Sequence, residues 1–159
     1  MCATSPERGT VAKMPSSNKR RLVLRNDLAE LKRLAAWIED WLQHRVSPDL
    51  SFAVQLCLEE AVANVILRCA ANGDRVEIAI EMERKGDTLV ACVDDSGPPF
   101  DPTRVLPPPL APSLEEVNVG ALGIHLMRSF ANGMHYQRQD GQNRLTLRFV
   151  ESQVMRQPP

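Results

Sequence analysis

Apolar positions along this chain repeat in two ways, and the change from one repeat to the other marks out most of its elements. Leu28, Leu31, Ala35, Ile38 and Leu42 recur at steps of three and four, which is one face of an amphipathic helix. Before them, "RLVLRN" (21–26) reads as a short strand, and Asp27 followed three residues later by Glu30 offers a capping box. Ser47-Pro48 is a second helix start, with Ser as cap and Pro in the first turn, and Asn72-Gly73 is its stop. Period two then takes over. "RVEIAIEME" (75–83) and "TLVACVDD" (88–95) flank Lys85-Gly86-Asp87 as an antiparallel hairpin. "GMHYQRQ" and "RLTLRFV" flank Asp140-Gly141-Gln142-Asn143 as another. Between the hairpins lie a proline-rich loop, "PPFDPTRVLPPPLAPSLEEVNVG", and a helix, "ALGIHLMRSFAN", with Leu122, Leu126, Met127 and Phe130 at helical spacing. The order β, α, α, β-β, loop, α, β-β segregates strands from helices and predicts an α+β fold, a layer of helices on a mostly antiparallel sheet.

Length and charge narrow this picture. A chain of 159 residues suits one domain with a real core. Residues 1–19 lack hydrophobic periodicity and are expected to be a disordered tail, with the folded domain over 20–152 and a mobile C-terminal tail over 153–159. Nineteen Lys and Arg against twenty Asp and Glu leave a net charge of -1, so no basic field points to nucleic acid or a membrane as partner. Cys2, Cys57, Cys69 and Cys92 show no C-x-x-C spacing and are expected as free thiols. Neither a run of eighteen apolar residues nor an apolar signal region is present, so the expected location is cytoplasmic.

Three segments carry candidate chemistry. In "LCLEEAVANVILRCA" (56–70), Glu60, Asn64 and Arg68 recur at i, i+4, i+8 and form one polar stripe on an otherwise apolar helix. The stripe fits a solvated edge, or it fits Mg²⁺ and a nucleotide. Mg²⁺ prefers oxygen ligands and takes one or two from protein beside phosphates, so Asn64 would suffice, with Glu60 one turn away to accept a proton. In "VDDSGPPFDP" (93–102), Asp95-Ser96-Gly97 is either an ordinary turn or a carboxylate and a bare backbone placed for a flat base with an exocyclic amine. Phe100 is expected in the core beneath this loop. In "NVGALGIHL" (118–126), Gly120 and Gly123 mark either a flexible linker or a helix N-terminus open to phosphate. The long loop before them, with Pro107, Pro108, Pro109 and Pro112, has the length of a functional lid.

In this order the three segments resemble the ATP-binding boxes of the GHKL ATPase superfamily, and most closely its anti-sigma-factor serine/threonine kinase family, over roughly residues 21–150. "EEAVANV" resembles the N box, "DDSGPPFDP" the first glycine box, "GALGIHLMRS" the second, and "NRLTL" the family's terminal strand. The resemblance implies the Bergerat fold, a two-layer sandwich with helices covering one face of a mostly antiparallel mixed sheet. It implies ATP and Mg²⁺ as cofactors, with Glu60 as general base, Asn64 as Mg²⁺ ligand and Arg68 at the nucleotide. Asp95 would hold the adenine amine, Gly97 would let the base approach, Gly120 and Gly123 would line the phosphates, and Ile124 would also stand at the cofactor. The implied function is a Mg²⁺-ATP-dependent serine protein kinase that binds a sigma factor and phosphorylates a small anti-anti-sigma protein. A homodimer is in keeping with the resemblance.

This chain departs from the family pattern at Ala121, where many relatives have Gly, at Val117-Asn118, where relatives often have Arg-Pro, and at Arg68, which replaces a His or Lys. The second departure keeps open an alternative, an ATP-binding module that sequesters a partner without efficient phosphoryl transfer. No helix with a phospho-acceptor His precedes the first strand in these residues, so a sensor histidine kinase is not expected. His44 is expected to face solvent at a helix end, and His125 and His135 to be structural.

Overall fold

The computed structural model describes residues 18–106 and 119–154. The N-terminal residues 1–17, the C-terminal 155–159, the loop prolines 107–109 and 112, and Val117-Asn118 lie outside the described residues. The elements run β1 (Lys19–Arg25), α1 (Glu30–Leu42), α2 (Pro48–Asn72), β2 (Glu77–Lys85), β3 (Thr88–Asp95), a 3₁₀ turn (Pro102–Arg104), α3 (Val119–Phe130), β4 (Gly133–Gln139), β5 (Gln142–Val150) and α4 (Glu151–Val154).

The five strands form one sheet in the order β1-β2-β3-β5-β4. All four described pairings are antiparallel, in line with the mostly antiparallel sheet expected. Two of the pairings are tight hairpins, β2–β3 and β4–β5, which reverse the chain by construction. Gly86 at φ 61, and Asp140 and Gly141 at φ 52 and 80, supply the left-handed residues that such turns need. Strand alternation turns Leu22, Leu24, Ile78, Ile80, Met82, Leu89, Ala91, Val93, Leu147 and Phe149 onto one buried face. The other face carries solvated pairs such as Lys19–Glu81 at 2.8 Å, which contribute little to stability.

Helix α2 lies in the middle of this core. Its length and apolar content would suffice to cross a membrane, but Leu50, Ala53, Val54, Cys57, Leu58, Ala61, Val62, Ile66 and Cys69 are buried in this fold. The Ser47 hydroxyl caps it by accepting from Leu50 N at 3.3 Å, and Gly73 at φ 72 ends it, both as expected from sequence.

Helix α1 departs from expectation. Ala29 occupies the cap position, and Asp27 Oδ1 accepts from Ala29 N at 2.9 Å, so Asp27 and Glu30 form no capping box. The helix begins after Leu28, which is 53% exposed, and buries Leu34, Ile38, Trp41 and Leu42. Both ends of the domain reach past the expected limits. Lys19 is already in register with Glu83, and α4 is tied back by Arg84 to Glu151 at 2.6 Å and by Ser152 Oγ to Asp87 at 2.7 Å.

Candidate functional site

The second half of α2, the end of β3, the start of β5 and helix α3 meet around a cavity. Its lining includes Ala61, Asn64, Arg68, Asp95, Phe100 and Asn143. Asn64 and Arg68 reach it because they stand one turn apart on α2, on the side between the buried stripe and solvent. Neither is satisfied by protein: Asn64 Nδ2 and Arg68 Nε are buried without a hydrogen-bond partner among the described residues. Each such orphan costs roughly 1–3 kcal/mol, and both are donors, so what the cavity lacks is an acceptor. The Arg68 guanidinium lies 3.0 Å from the centroid of the Phe100 ring, and burial lowers its pKa from the ordinary value. Phe100 therefore both packs on the core, as expected, and forms part of the cavity wall.

Asp95 is 6% exposed. Its Oδ1 accepts from Gly97 N at 2.8 Å and from Asn143 Nδ2 at 2.9 Å, and no hydrogen bond to Oδ2 is present among the described residues. A side chain at 97 has no room, since a Cβ there would stand 2.7 Å from Cys69 Sγ and 2.9 Å from Asp95 Oδ1. The bare backbone is thus a requirement of the packing. Burial raises the Cys69 thiol pKa, and the charges of Asp95 and Asp74 add to that.

Glu59 and Glu60 are adjacent in sequence but differ in setting. Glu59 Oε1 accepts from Gln55 Nε2 at 2.8 Å one turn away. The Glu60 carboxylate instead rests against the backbone of α3 at Gly123, where any Cβ would overlap its Oε2. Beneath it the Cys57 thiol is pushed up to about 12, first by burial and then by the Glu60 charge, and remains a neutral core group.

Helix α3 begins at Val119, ahead of its expected start at Ala121, so both Gly120 and Gly123 are helical. Gly120 lies near the start of the described helix, while Gly123 lies beyond it and supplies space for Glu60. Ile124, expected at the cofactor, is 1% exposed and belongs to the hydrophobic core. Helical geometry turns it opposite to the exposed Leu122, so its side chain is not part of the cavity wall. His44 is exposed as expected, and His125 and His135 are exposed rather than structural.

Four residues that sequence reading did not single out complete the site. Asn143 pairs across the sheet with Asp95, and its Oδ1 accepts from Tyr136 at 2.7 Å and from Arg138 at 2.6 Å. Alternation could have placed Asn143 on the same face as Leu145 and Leu147, but its register against Asp95 depends on which strands neighbour each other. Arg128 of α3 ties the loop after β3, donating to Pro102 O at 3.1 Å and Thr103 O at 2.9 Å.

The family model of the histidine kinase-like ATPase domain matches residues 24–149, nearly the whole described fold. The chain belongs to the histidine kinase-like ATPase domain family. It is 35% identical over 131 residues to the serine/threonine-protein kinase BtrW of Bordetella bronchiseptica, covering 77% of this chain and 92% of that one. Its fold is similar to that of the histidine kinase domain of the blue-light activated histidine kinase from Erythrobacter litoralis EL346, with a TM-score of 0.51 at 15% identity over 80% of this chain. The chain spans 62% of the length of that kinase domain. This domain is therefore an ATP-binding, kinase-like module in an α+β fold of the histidine-kinase ATPase type. The residues present fit a nucleotide: two buried donors lack acceptors, and a buried carboxylate has one oxygen to spare.

Proposed function

We propose that this chain is a Mg²⁺-ATP-dependent serine protein kinase and an anti-sigma-type partner-switching regulator, acting in the cytoplasm on a small anti-anti-sigma protein. The observation that carries the reading is the division within one helix stripe. Glu60 is held against Gly123, while Asn64 and Arg68, one and two turns on, present unsatisfied donors to the cavity. Asp95 Oδ2 accepts from the adenine amine, and the side-chain-free backbone at Gly97 lets the base lie against it. Arg68 Nε and Asn64 Nδ2 donate to phosphate oxygens. Asn64 Oδ1 would hold Mg²⁺, which would supply positive charge to the phosphates. Glu60 takes the proton of the attacking serine hydroxyl as its oxygen bonds to the γ-phosphorus and ADP leaves.

Titration calorimetry of ATP with and without Mg²⁺ tests this reading on the wild type and on Asn64→Ala. The wild type is expected to bind ATP more tightly with Mg²⁺, and Asn64→Ala to lose at least about tenfold of that affinity. Absence of ATP binding by the wild type in either condition would remove the reading altogether. Where ATP binds, mass spectrometry of the incubated partner protein separates the kinase from a module that only sequesters its partner, since only the kinase leaves phosphoserine.

A further inference from the structure

Asn143 is 5% exposed, and both ends of its carboxamide are engaged. The nitrogen donates to Asp95 Oδ1 at 2.9 Å, Pro98 O at 3.1 Å and Gly97 O at 3.3 Å. The oxygen accepts from the Tyr136 hydroxyl at 2.7 Å and the Arg138 guanidinium at 2.6 Å. A guanidinium can only donate, so the oxygen end must face β4 and the nitrogen end must face Asp95. The orientation of the amide is therefore dictated by its partners. Arg138 also donates to Gly97 O at 3.1 Å, which ties β4, β5 and the loop after β3 into one unit.

The consequence falls on Asp95. With Asn143 Nδ2 and Gly97 N both on Oδ1, the carboxylate is held in one rotamer and Oδ2 is its remaining acceptor. A purine with a 6-amino group offers a donor to such an oxygen. A 6-oxo purine offers a carbonyl there, which repels it, and carries its donor one position away on N1. A carboxylate free to turn could reach that N1–H, whereas one pinned by Asn143 could not.

We infer that Asn143 is a positioning residue for base selection: by fixing Asp95 it makes the site choose a 6-amino purine over a 6-oxo purine. This inference rests on the reading of the cavity as an ATP site.

Calorimetric titrations of the full chain with Mg²⁺-ATP and Mg²⁺-ITP test it on the wild type, Asn143→Ala and Arg138→Met. Arg138 is largely outside the core, and its replacement frees the amide without opening a buried hole. Asn143→Ala is expected to weaken ATP by about tenfold and to lower the ATP-over-ITP preference by a similar factor. Arg138→Met should lower the preference in the same direction by a smaller factor. Equal weakening of both nucleotides in Asn143→Ala would mean a structural role only and would overturn the inference. If Asn143→Ala does not fold, an unchanged preference in Arg138→Met overturns it. A wild type that binds neither nucleotide removes the ATP-site reading itself, and the inference with it.

Discussion

Glu60→Gln is expected to lower phosphoryl transfer by a factor of about 10²–10⁴ while leaving ATP affinity nearly unchanged. Glutamine keeps the shape of the side chain and its place against Gly123, and removes only the ability to take a proton. Gly123→Ala approaches the same group from the other side. Its Cβ would occupy the position of Glu60 Oε2, and the carboxylate, at the far end of a flexible side chain, can swing away at little cost to folding. The alanine variant should therefore melt close to the wild type and still lose turnover. Transfer of labelled γ-phosphate from ATP to the cognate anti-anti-sigma protein, read beside a thermal melt, checks both variants. Undiminished transfer by Glu60→Gln would exclude Glu60 as the base.

Gly97→Ala is the second large effect, and here fold and site suffer together. The new Cβ meets Cys69 Sγ at 2.7 Å and Asp95 Oδ1 at 2.9 Å. Cys69 is buried and short, so it has no room to retreat as Glu60 has. The strain is expected to cost about 1–3 kcal/mol of stability. Asp95 must also turn, which breaks its bonds to Gly97 N and Asn143, and ATP affinity should fall by about 10- to 100-fold. Adding Cys69→Ala removes the sulfur contact and should recover stability without affinity, because the contact with Asp95 remains. Denaturant unfolding and calorimetry measure the two quantities separately. Wild-type ATP affinity in Gly97→Ala would show that Asp95 and its loop do not receive the base.

Much of the fold was legible because its cues are local. Ser47-Pro48 and Asn72-Gly73 bracket α2 through backbone chemistry that needs no tertiary partner, and Asp140-Gly141 forces a tight turn wherever it occurs. The failures came where local cues competed. Asp27 and Glu30 have capping-box spacing, yet Asp27 spends its side chain on Ala29 N and the helix starts two residues later. Ile124 stands inside a glycine-box pattern, but helical phase rather than motif position decides where a side chain points, and it points to the core. Asn143 was read as part of a turn, and only the two-residue form of that turn places it in β5.

The sequence by itself determined the elements, the antiparallel hairpins and the stripe Glu60, Asn64, Arg68, because helix and strand periods act over a few residues. Tertiary structure decided which of two adjacent glutamates is engaged elsewhere, since Gln55 takes Glu59 and Gly123 receives Glu60. It also decided that Asp95 is pinned by Asn143, 48 residues away, because the neighbour of β3 is β5 rather than β4. Sheet order depends on how buried faces combine across the whole core, and that sum is not carried by any one segment.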